Sequence, residues 1–378
     1  MTKCIYLAHY DDENIRNAST AGVTVMNYMI RCIDKISKEN IILSPLGIAG
    51  SRISKRTVKN ISSNTKLIYT VNRKTYNRWN LIARLIFKLH SDIMLYKELK
   101  ELLNDGDTLI VYHSVALMKI VQRIKKIKNI NLVLQICEVY ADAYKNSRLK
   151  KKEFKYFNIA DRYIFQSELL NKLINKDNKS FTVLYGTYSM EYLSKIDIFH
   201  DEKIHCVYAG TLNKVKNGAY AAASIAEYLN DDYHIHILGV GNKNEVKEIK
   251  NYISNVSKIA KCKISLEGPY YGSDYIKFLQ SCDISLCTQN PNEDFNNTSF
   301  PSKILVYMAN GLRVVSVKIP AITESKINDY MYYCDEYTPQ ALAETIKKIN
   351  FTDGYDSYGI MYRLNDIFEH ELKHIILK

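Results

Sequence analysis

Short apolar runs rich in β-branched residues alternate along the chain with longer stretches whose apolar residues recur every three or four positions. The first pattern marks buried strands and the second amphipathic helices. Strands are expected at Cys4–Ala8, Ile41–Leu43, Lys66–Val71, Thr108–Tyr112, Leu132–Ile136, Arg162–Gln166 and Phe181–Tyr185. Helices are expected between them at Ala21–Ser37, Asn80–Leu103, Val115–Lys126, Lys150–Asn158 and Glu168–Ile174. The alternation then restarts, with strands at His205–Ala209, His234–Leu238, Lys263–Leu266, Ile284–Cys287 and Arg313–Ser316. Helices are expected at Ala219–Leu229, Asn244–Ser254, Ser273–Gln280, Pro301–Ala309 and Pro339–Ile349. One more, Tyr355–Leu377, places Ile360, Leu364, Ile367 and Phe368 on one side. Such alternation is the signature of doubly wound parallel sheets. The pattern therefore predicts an α/β chain of two units, residues 1–188 and 189–354, followed by a terminal helix over 355–378.

Composition narrows the class. The chain has 378 residues, 47% of them hydrophobic and 24% charged, which excludes a disordered tail, a collagen-like fibre and a coiled-coil rod. Its eight cysteines are scattered without Cys-x-x-Cys spacing, so neither a zinc motif nor a disulfide framework is expected. The first residues, Met-Thr-Lys-Cys-Ile-Tyr-Leu-Ala, enter a strand and lack the apolar core of a signal peptide. No run of 18 apolar residues would span a bilayer. A cytoplasmic protein is the expectation. Charge is uneven: residues 1–200 carry 33 Lys and Arg against 18 Asp and Glu, and residues 201–378 carry 19 against 22. A basic first half suits an anionic partner, nucleic acid or membrane surface. Thirty tyrosines would allow base stacking, but no RNA-binding motif accompanies them and they do not cluster with the basic residues. Nucleic acid is not expected.

In open parallel sheets ligands bind beyond the carboxyl ends of the strands, and with two such units the cleft between them is the default site. The most informative segment there is Asn296-Asn-Thr-Ser-Phe-Pro-Ser-Lys-Ile-Leu-Val-Tyr-Met-Ala-Asn-Gly311. Pro301 fits the first turn of a helix, with Ser299 as its cap. Ser302 and Lys303 then lie beside unpaired backbone N–H groups, a setting that suits a diphosphate. A second segment, Tyr208-Ala-Gly-Thr-Leu-Asn-Lys-Val-Lys-Asn-Gly218, ends a strand in Gly210-Thr211 and supplies Lys214 and Lys216 for phosphate charge. Gly239-Val-Gly241 lacks the third glycine of a dinucleotide fingerprint.

The segment Phe300-Pro-Ser-Lys-Ile-Leu-Val-Tyr-Met-Ala-Asn-Gly-Leu-Arg-Val-Val315 resembles the nucleotide-sugar motif of family 4 type glycosyltransferases with the GT-B fold. Ala160–Glu168, Val183–Gly186, Tyr208–Leu212, Leu266–Pro269 and Ser281–Ser285 resemble neighbouring segments of that family in the same order. The Phe-Pro-Ser-Lys form is similar to a side branch that includes galactofuranosyl- and glucosyltransferase-like bacterial proteins. The resemblance implies two Rossmann-like domains facing a cleft, acceptor-binding first and nucleotide-sugar-binding second, with the last helix crossing back to the first. It implies retaining transfer from a nucleotide sugar, UDP being the commonest carrier, with no metal and no other cofactor. Ser302 and Lys303 would hold the diphosphate. Gly210, Thr211 and one of Lys214 or Lys216 would line its other side, and Gly268 and Pro269 would lie near the base. Many members carry two glutamates eight positions apart, where this chain has Thr298 and Val306. Thr298 or Ser299 would contact the sugar instead. The missing pair also keeps open a non-catalytic nucleotide-binding partner subunit, and the architecture a sugar-nucleotide epimerase.

The first domain is then expected to bind the acceptor. His113 ends one strand and Glu138 the next, and either could orient or deprotonate a hydroxyl. Asp11-Asp-Glu13 mimics a metal-binding run, which the resemblance sets aside. Helix Asn80–Leu103 carries Leu81, Ile82, Leu85, Ile86, Leu89 and Ile93 among twelve Lys and Arg and two acids over residues 52–100. It reads equally as a core helix with a basic face or as an element lying on an anionic membrane. The expected partners are a nucleotide sugar and a lipid-linked or saccharide acceptor, with a peripheral position on the inner face of the plasma membrane and a homo-oligomer both open. The expected setting is surface polysaccharide or glycoconjugate synthesis in a bacterium.

Overall fold

The computed structural model describes residues 3–11, 20–45, 56–71, 81–190, 197–292 and 299–377. The chain divides into two compact units, Met1–Thr187 with Asp366–Lys378, and Tyr188–Asn365. Strands of the first unit are β1 (Cys4–Leu7), β2 (Asn40–Ser44), β3 (Thr57–Asn60), β4 (Thr65–Tyr69), β5 (Thr108–Tyr112), β6 (Asn131–Ile136), β7 (Arg162–Phe165) and β8 (Phe181–Val183). They form one sheet in the order β3-β4-β2-β1-β5-β6-β7-β8. Every pairing is parallel except β3 with β4. Helices α1 (Thr20–Ile36), α2 (Leu81–Leu102), α3 (Met118–Ile127), α4 (Tyr140–Ala143), α5 (Ser147–Phe157) and α6 (Glu168–Ile174) connect them.

The second unit holds β9 (Ile204–Thr211), β10 (Tyr233–Val240), β11 (Lys263–Leu266), β12 (Ile284–Cys287), β13 (Arg313–Ser316) and β14 (Tyr332–Tyr333), in the all-parallel order β11-β10-β9-β12-β13-β14. Its helices are α7 (Gly218–Ser224), α8 (Lys243–Val256), α9 (Gly272–Gln280), α10 (Lys303–Met308), α11 (Pro320–Thr323) and α12 (Pro339–Lys347). A last helix, α13 (Ser357–Leu377), begins among the residues of the second unit and ends among those of the first. Both sheets are the doubly wound kind that the alternation predicts.

The central strands are buried on both faces, as parallel sheets covered by helices require; all four residues of β1 are inaccessible. Helix α3 buries Met118, Ile120, Val121 and Ile124 against this sheet. The carboxyl end of α13 is satisfied from the first sheet. Arg162 and Asn131 donate to Ile375 O at 2.8 and 3.1 Å, and Thr108 Oγ1 donates to Ile376 O at 2.9 Å. Orphan carbonyls at a helix end need such donors, and the guanidinium also suits the negative end of the dipole. Of the expected α13 face, Ile360, Leu364 and Phe368 are buried, whereas Ile367 is 43% exposed.

Other departures have local causes. Helix α10 is shorter than Pro301–Ala309, because Ile304 N bonds to Pro301 O and Leu305 N to Ser302 O in tightened i→i+3 turns. Ser302 takes the cap position with no side-chain cap bond, so Ser299 is not the cap. The helix expected over Ala219–Leu229 is α7 followed by a 3₁₀ turn at Ile225–Tyr228. There Ser224 Oγ bonds back to Tyr220 O at 2.9 Å, a contact that bends helices. In α2 the core residues are Leu95 and Leu99, with Leu103 just beyond the helix. Leu85, Ile86, Leu89 and Ile93 are instead 55, 62, 63 and 53% exposed. Among the described residues no helix is long and apolar enough to cross a membrane.

Candidate active site

A cavity of about 250 Å³ opens at the carboxyl ends of β9 and β12, where a doubly wound sheet binds its ligands. Its first wall is the end of β9. Tyr208 lies back over Gly210, its hydroxyl on Thr211 O at 3.2 Å. A Cβ at Gly210 would run into that hydroxyl, and one at Gly218 would approach it to 2.7 Å. Both glycines are therefore there to admit the Tyr208 ring. The loop that follows is tied in place. Asn213 Oδ1 accepts from Val215 N and Lys216 N, and its Nδ2 donates to Glu245 Oε1 at 2.9 Å. Asn217, at φ +57°, donates to Tyr337 OH, which in turn donates to Thr288 O at 3.1 Å. Thr288 Oγ1 closes the circuit on Gly218 O at 2.7 Å. This order presents Lys216 to the cavity.

The facing wall is Phe300, Pro301, Ser302 and Lys303. Lys303 is exposed along its side chain, yet its Nζ donates to Ala209 O. Tyr307, fully buried one turn on, accepts from Ala209 N at 2.9 Å and returns its proton to Ala209 O at 3.3 Å. The protein around the ammonium withholds water from it and lowers the Lys303 pKa to about 8, with Lys216 adding to the fall and Cys287 opposing it. The lining holds two lysines and, among the described residues, no carboxylate. A cavity so charged calls for an anion of more than one charge.

Five residues named from the sequence thus meet in one place: Gly210, Thr211, Lys216, Ser302 and Lys303. Lys214 is exposed and outside the lining; of the two lysines, Lys216 is the one on the cavity. Gly268, at φ +78°, and the exposed Pro269 follow β11 and do not reach the cavity wall, nor does Ser299. Thr298, Asp12 and Glu13 lie outside the described residues. Sequence reasoning missed Tyr208, Tyr307 and Thr288. Their roles depend on backbone atoms far along the chain, which no spacing reveals.

In the first unit His113 follows β5 and is 2% exposed. Its Nε2 meets Glu153 Oε1 at 2.8 Å. Glu153 is itself inaccessible and accepts from Tyr140 N at 3.1 Å and Ala141 N at 2.7 Å. Tyr140, Tyr156 and Phe157 pack around the imidazole. Glu138 lies on the surface past β6. Partial desolvation still raises its carboxyl above the usual carboxylate range, with His113 opposing.

Residues 203–350 match the family model "Glycosyl transferases group 1". No curated protein sequence matches the chain. Among solved structures, the E. coli trehalose-6-phosphate protein bound with UDP-2-fluoro glucose is similar over 99% of this chain and 97% of its own, with 12% identity and a TM-score of 0.62. A UDP-forming α,α-trehalose-phosphate synthase from Burkholderia xenovorans, in complex with glucose-6-phosphate, is similar over 100% of both chains, with 8% identity and a TM-score of 0.63. The synthase from Burkholderia multivorans is similar over 100% of this chain and 95% of its own, with 10% identity and a TM-score of 0.60. At such identities the likeness shows the fold alone, GT-B, and with the match of residues 203–350 to the group 1 model the chain is a glycosyltransferase of that fold.

Proposed function

We propose that this glycosyltransferase takes its sugar from a nucleoside diphosphate sugar with UDP as carrier and transfers it, with retention, to an acceptor hydroxyl. The observation that carries the donor reading is the cavity with Lys216, Ser302 and Lys303 on its wall and no carboxylate among its described lining. Lysine ammonium groups spread the charge that grows on a departing diphosphate, and they do so best where water is scarce. Similar solved proteins holding UDP-2-fluoro glucose and glucose-6-phosphate support the choice of carrier and of a saccharide acceptor. No metal is needed for this role, since the two lysines supply the positive charge. Glu138, exposed and with a raised carboxyl, suits contact with an acceptor hydroxyl. The buried His113 suits a positioning role through Glu153.

Calorimetric titration of UDP and GDP into the wild type and Lys303→Ala tests the donor site. UDP is expected to bind selectively, and Lys303→Ala to weaken it about 10- to 100-fold, the value of hydrogen bonds to charged groups. Failure of well-folded protein to bind either nucleotide would overturn the reading. Binding without any transferred product, in an assay that identifies products, would instead favour the partner-subunit reading that Thr298 and Val306 raise.

The acceptor is proposed to sit on an anionic membrane surface, as in surface polysaccharide or glycoconjugate synthesis. Support comes from α2, whose Leu85, Ile86, Leu89 and Ile93 are exposed beside Lys88 and Lys97. Flotation with vesicles of phosphatidylglycerol should carry the protein up, and Ile86→Gln with Leu89→Gln should leave it behind. Equal flotation of both proteins would refute the membrane reading without touching the donor site.

A further inference from the structure

At the opposite end of β9, and on its neighbour β10, lies a cluster that transfer chemistry does not use. In β9 and β10, His205 stands beside His234 in register, and His236 follows two residues on. Strand alternation places all three on one face. They are 4, 4 and 1% exposed, with Phe199 stacked on His205 and Phe278 edge-on to His236. Five residue steps along β9 take His205 to Gly210, roughly 16 Å along an extended strand.

The hydrogen bonds here have a proton problem. Asp201 Oδ1 meets His205 Nε2 at 2.9 Å, His205 Nδ1 meets His236 Nε2 at 2.9 Å, and His236 Nδ1 meets Glu267 Oε1 at 2.7 Å. A carboxylate only accepts, so both outer nitrogens must carry hydrogen. A neutral imidazole has one N–H. The two inner nitrogens then face each other with lone pairs and nothing between them. The network is one hydrogen short, a deficit met by an added proton, on a ring or on a carboxyl, or by a metal ion between the two nitrogens.

The third ring favours the metal: ligand nitrogens of His205, His234 and His236 all lie within 4.8 Å of one another. A shared proton gains nothing from a third imidazole, whereas a metal gains a ligand. We infer that His205, His234 and His236 bind one divalent transition-metal ion of the zinc class, with Asp201 and Glu267 holding the outer N–H groups of two ligands. Carboxylates in that place orient metal-bound histidines and offset the charge of the ion. Metal–nitrogen bonds of about 2.0–2.1 Å hold ligand nitrogens roughly 3.4 Å apart in a tetrahedral set. The 2.9 Å pair therefore opens and His234 swings in, both by side-chain rotation. The site is structural: it clips β9 to β10 and stands apart from the donor cavity, so it is independent of the transfer reading.

The test uses the full chain, stripped with a chelator and titrated with Zn²⁺ and Co²⁺. One equivalent of either is expected to bind, with a rise in melting temperature and, for Co²⁺, the visible absorption of a tetrahedral nitrogen site. His234→Gln with His236→Gln should abolish that absorption and weaken binding at least 100-fold. Asp201→Asn, at an exposed carboxylate that leaves the packing intact, should weaken it about 10- to 100-fold. Circular dichroism of each variant checks the fold. No binding, or binding unchanged in the double variant and so located elsewhere, would overturn the proposal. So would a strongly deshielded N–H–N proton resonance in the metal-free protein that persists with one equivalent of Zn²⁺, because the pair would then be closed by a proton.

Discussion

The carboxyl ends of the two sheets solve the burial of charge in opposite ways. In the first unit His113 and Glu153 consume each other. The carboxylate takes one imidazole nitrogen and two backbone N–H groups, and aromatic rings close over the pair. In the second unit Lys216 and Lys303 face a cavity whose described lining has no acid to answer them. A buried charge that is paired within the fold is part of the architecture, and its loss should appear as lost stability. A charge left facing a cavity is held in readiness for a ligand, and its loss should appear as lost binding.

The sharpest way to break this comparison is to cut the pair in the first unit. His113→Ala removes an imidazole packed among three aromatic rings and strips Glu153 of one partner. A cost of about 3–5 kcal/mol is expected, the range for breaking a buried pair. It should show as a lower urea midpoint, with UDP affinity unchanged within about twofold. His113→Gln keeps an N–H donor and should recover about half of the loss. If His113→Ala left stability intact, the pairing would not be structural, and His113 would return as a candidate to meet substrate.

A smaller effect is expected where the glycines admit Tyr208. Gly210→Ala places a methyl group against the Tyr208 hydroxyl. The ring must shift, at about 1–3 kcal/mol for overpacking, and Tyr208 lines the cavity. UDP affinity should therefore fall along with stability. Gly210→Ala combined with Tyr208→Leu removes the whole ring, whose Cζ and Cε1 would also lie 2.5 and 2.8 Å from the new Cβ, and should restore part of both. A double variant no better than the single one would show that the backbone, not the tyrosine, requires the glycine.

The molecule was unevenly legible from its sequence. Period alone located the strands of both sheets except β3 and β14. Thr57-Val-Lys-Asn60 is short and half-exposed on an antiparallel edge, and β14 has only two residues, so neither builds an apolar run. The face of α2 stayed open between core and surface because apolar period is silent on which turns find a partner; Leu95 and Leu99 do, while Leu85, Ile86, Leu89 and Ile93 are exposed. At the site, Pro301-Ser-Lys303 and Gly210-Thr211 were readable because their chemistry is local. Glu153 was not, since its partner lies 40 residues away. The histidine cluster was not either, because only the register of β9 with β10 brings His205 to His234-Ile-His236.

The finest test of the contrast is a proton. Lys303 has a folded pKa of about 8 against an ordinary value of 10.5. Between those values the unfolded chain holds a proton that the folded chain has shed, so this residue makes stability rise with pH from about 8 to 10.5. Below pH 8 the folded protein carries the ammonium in its poorly hydrated place at a cost. A diphosphate in the cavity reverses that cost by pairing with the charge, which must raise the pKa of Lys303. At pH 8 the free site is about half protonated, so UDP binding should draw in about half a proton. Calorimetry in buffers of different ionisation enthalpy measures that uptake directly. The terminal phosphate of UDP, with a second pKa of about 6, is already ionised at pH 8 and contributes little. Uptake should fade toward pH 6.5, where Lys303 is protonated before the ligand arrives, and should vanish in Lys303→Gln at every pH. Equal uptake in that variant would assign the proton to another group and remove Lys303 from contact with the anion. The His113–Glu153 pair predicts nothing of the kind, because its partners are already in place before any ligand binds.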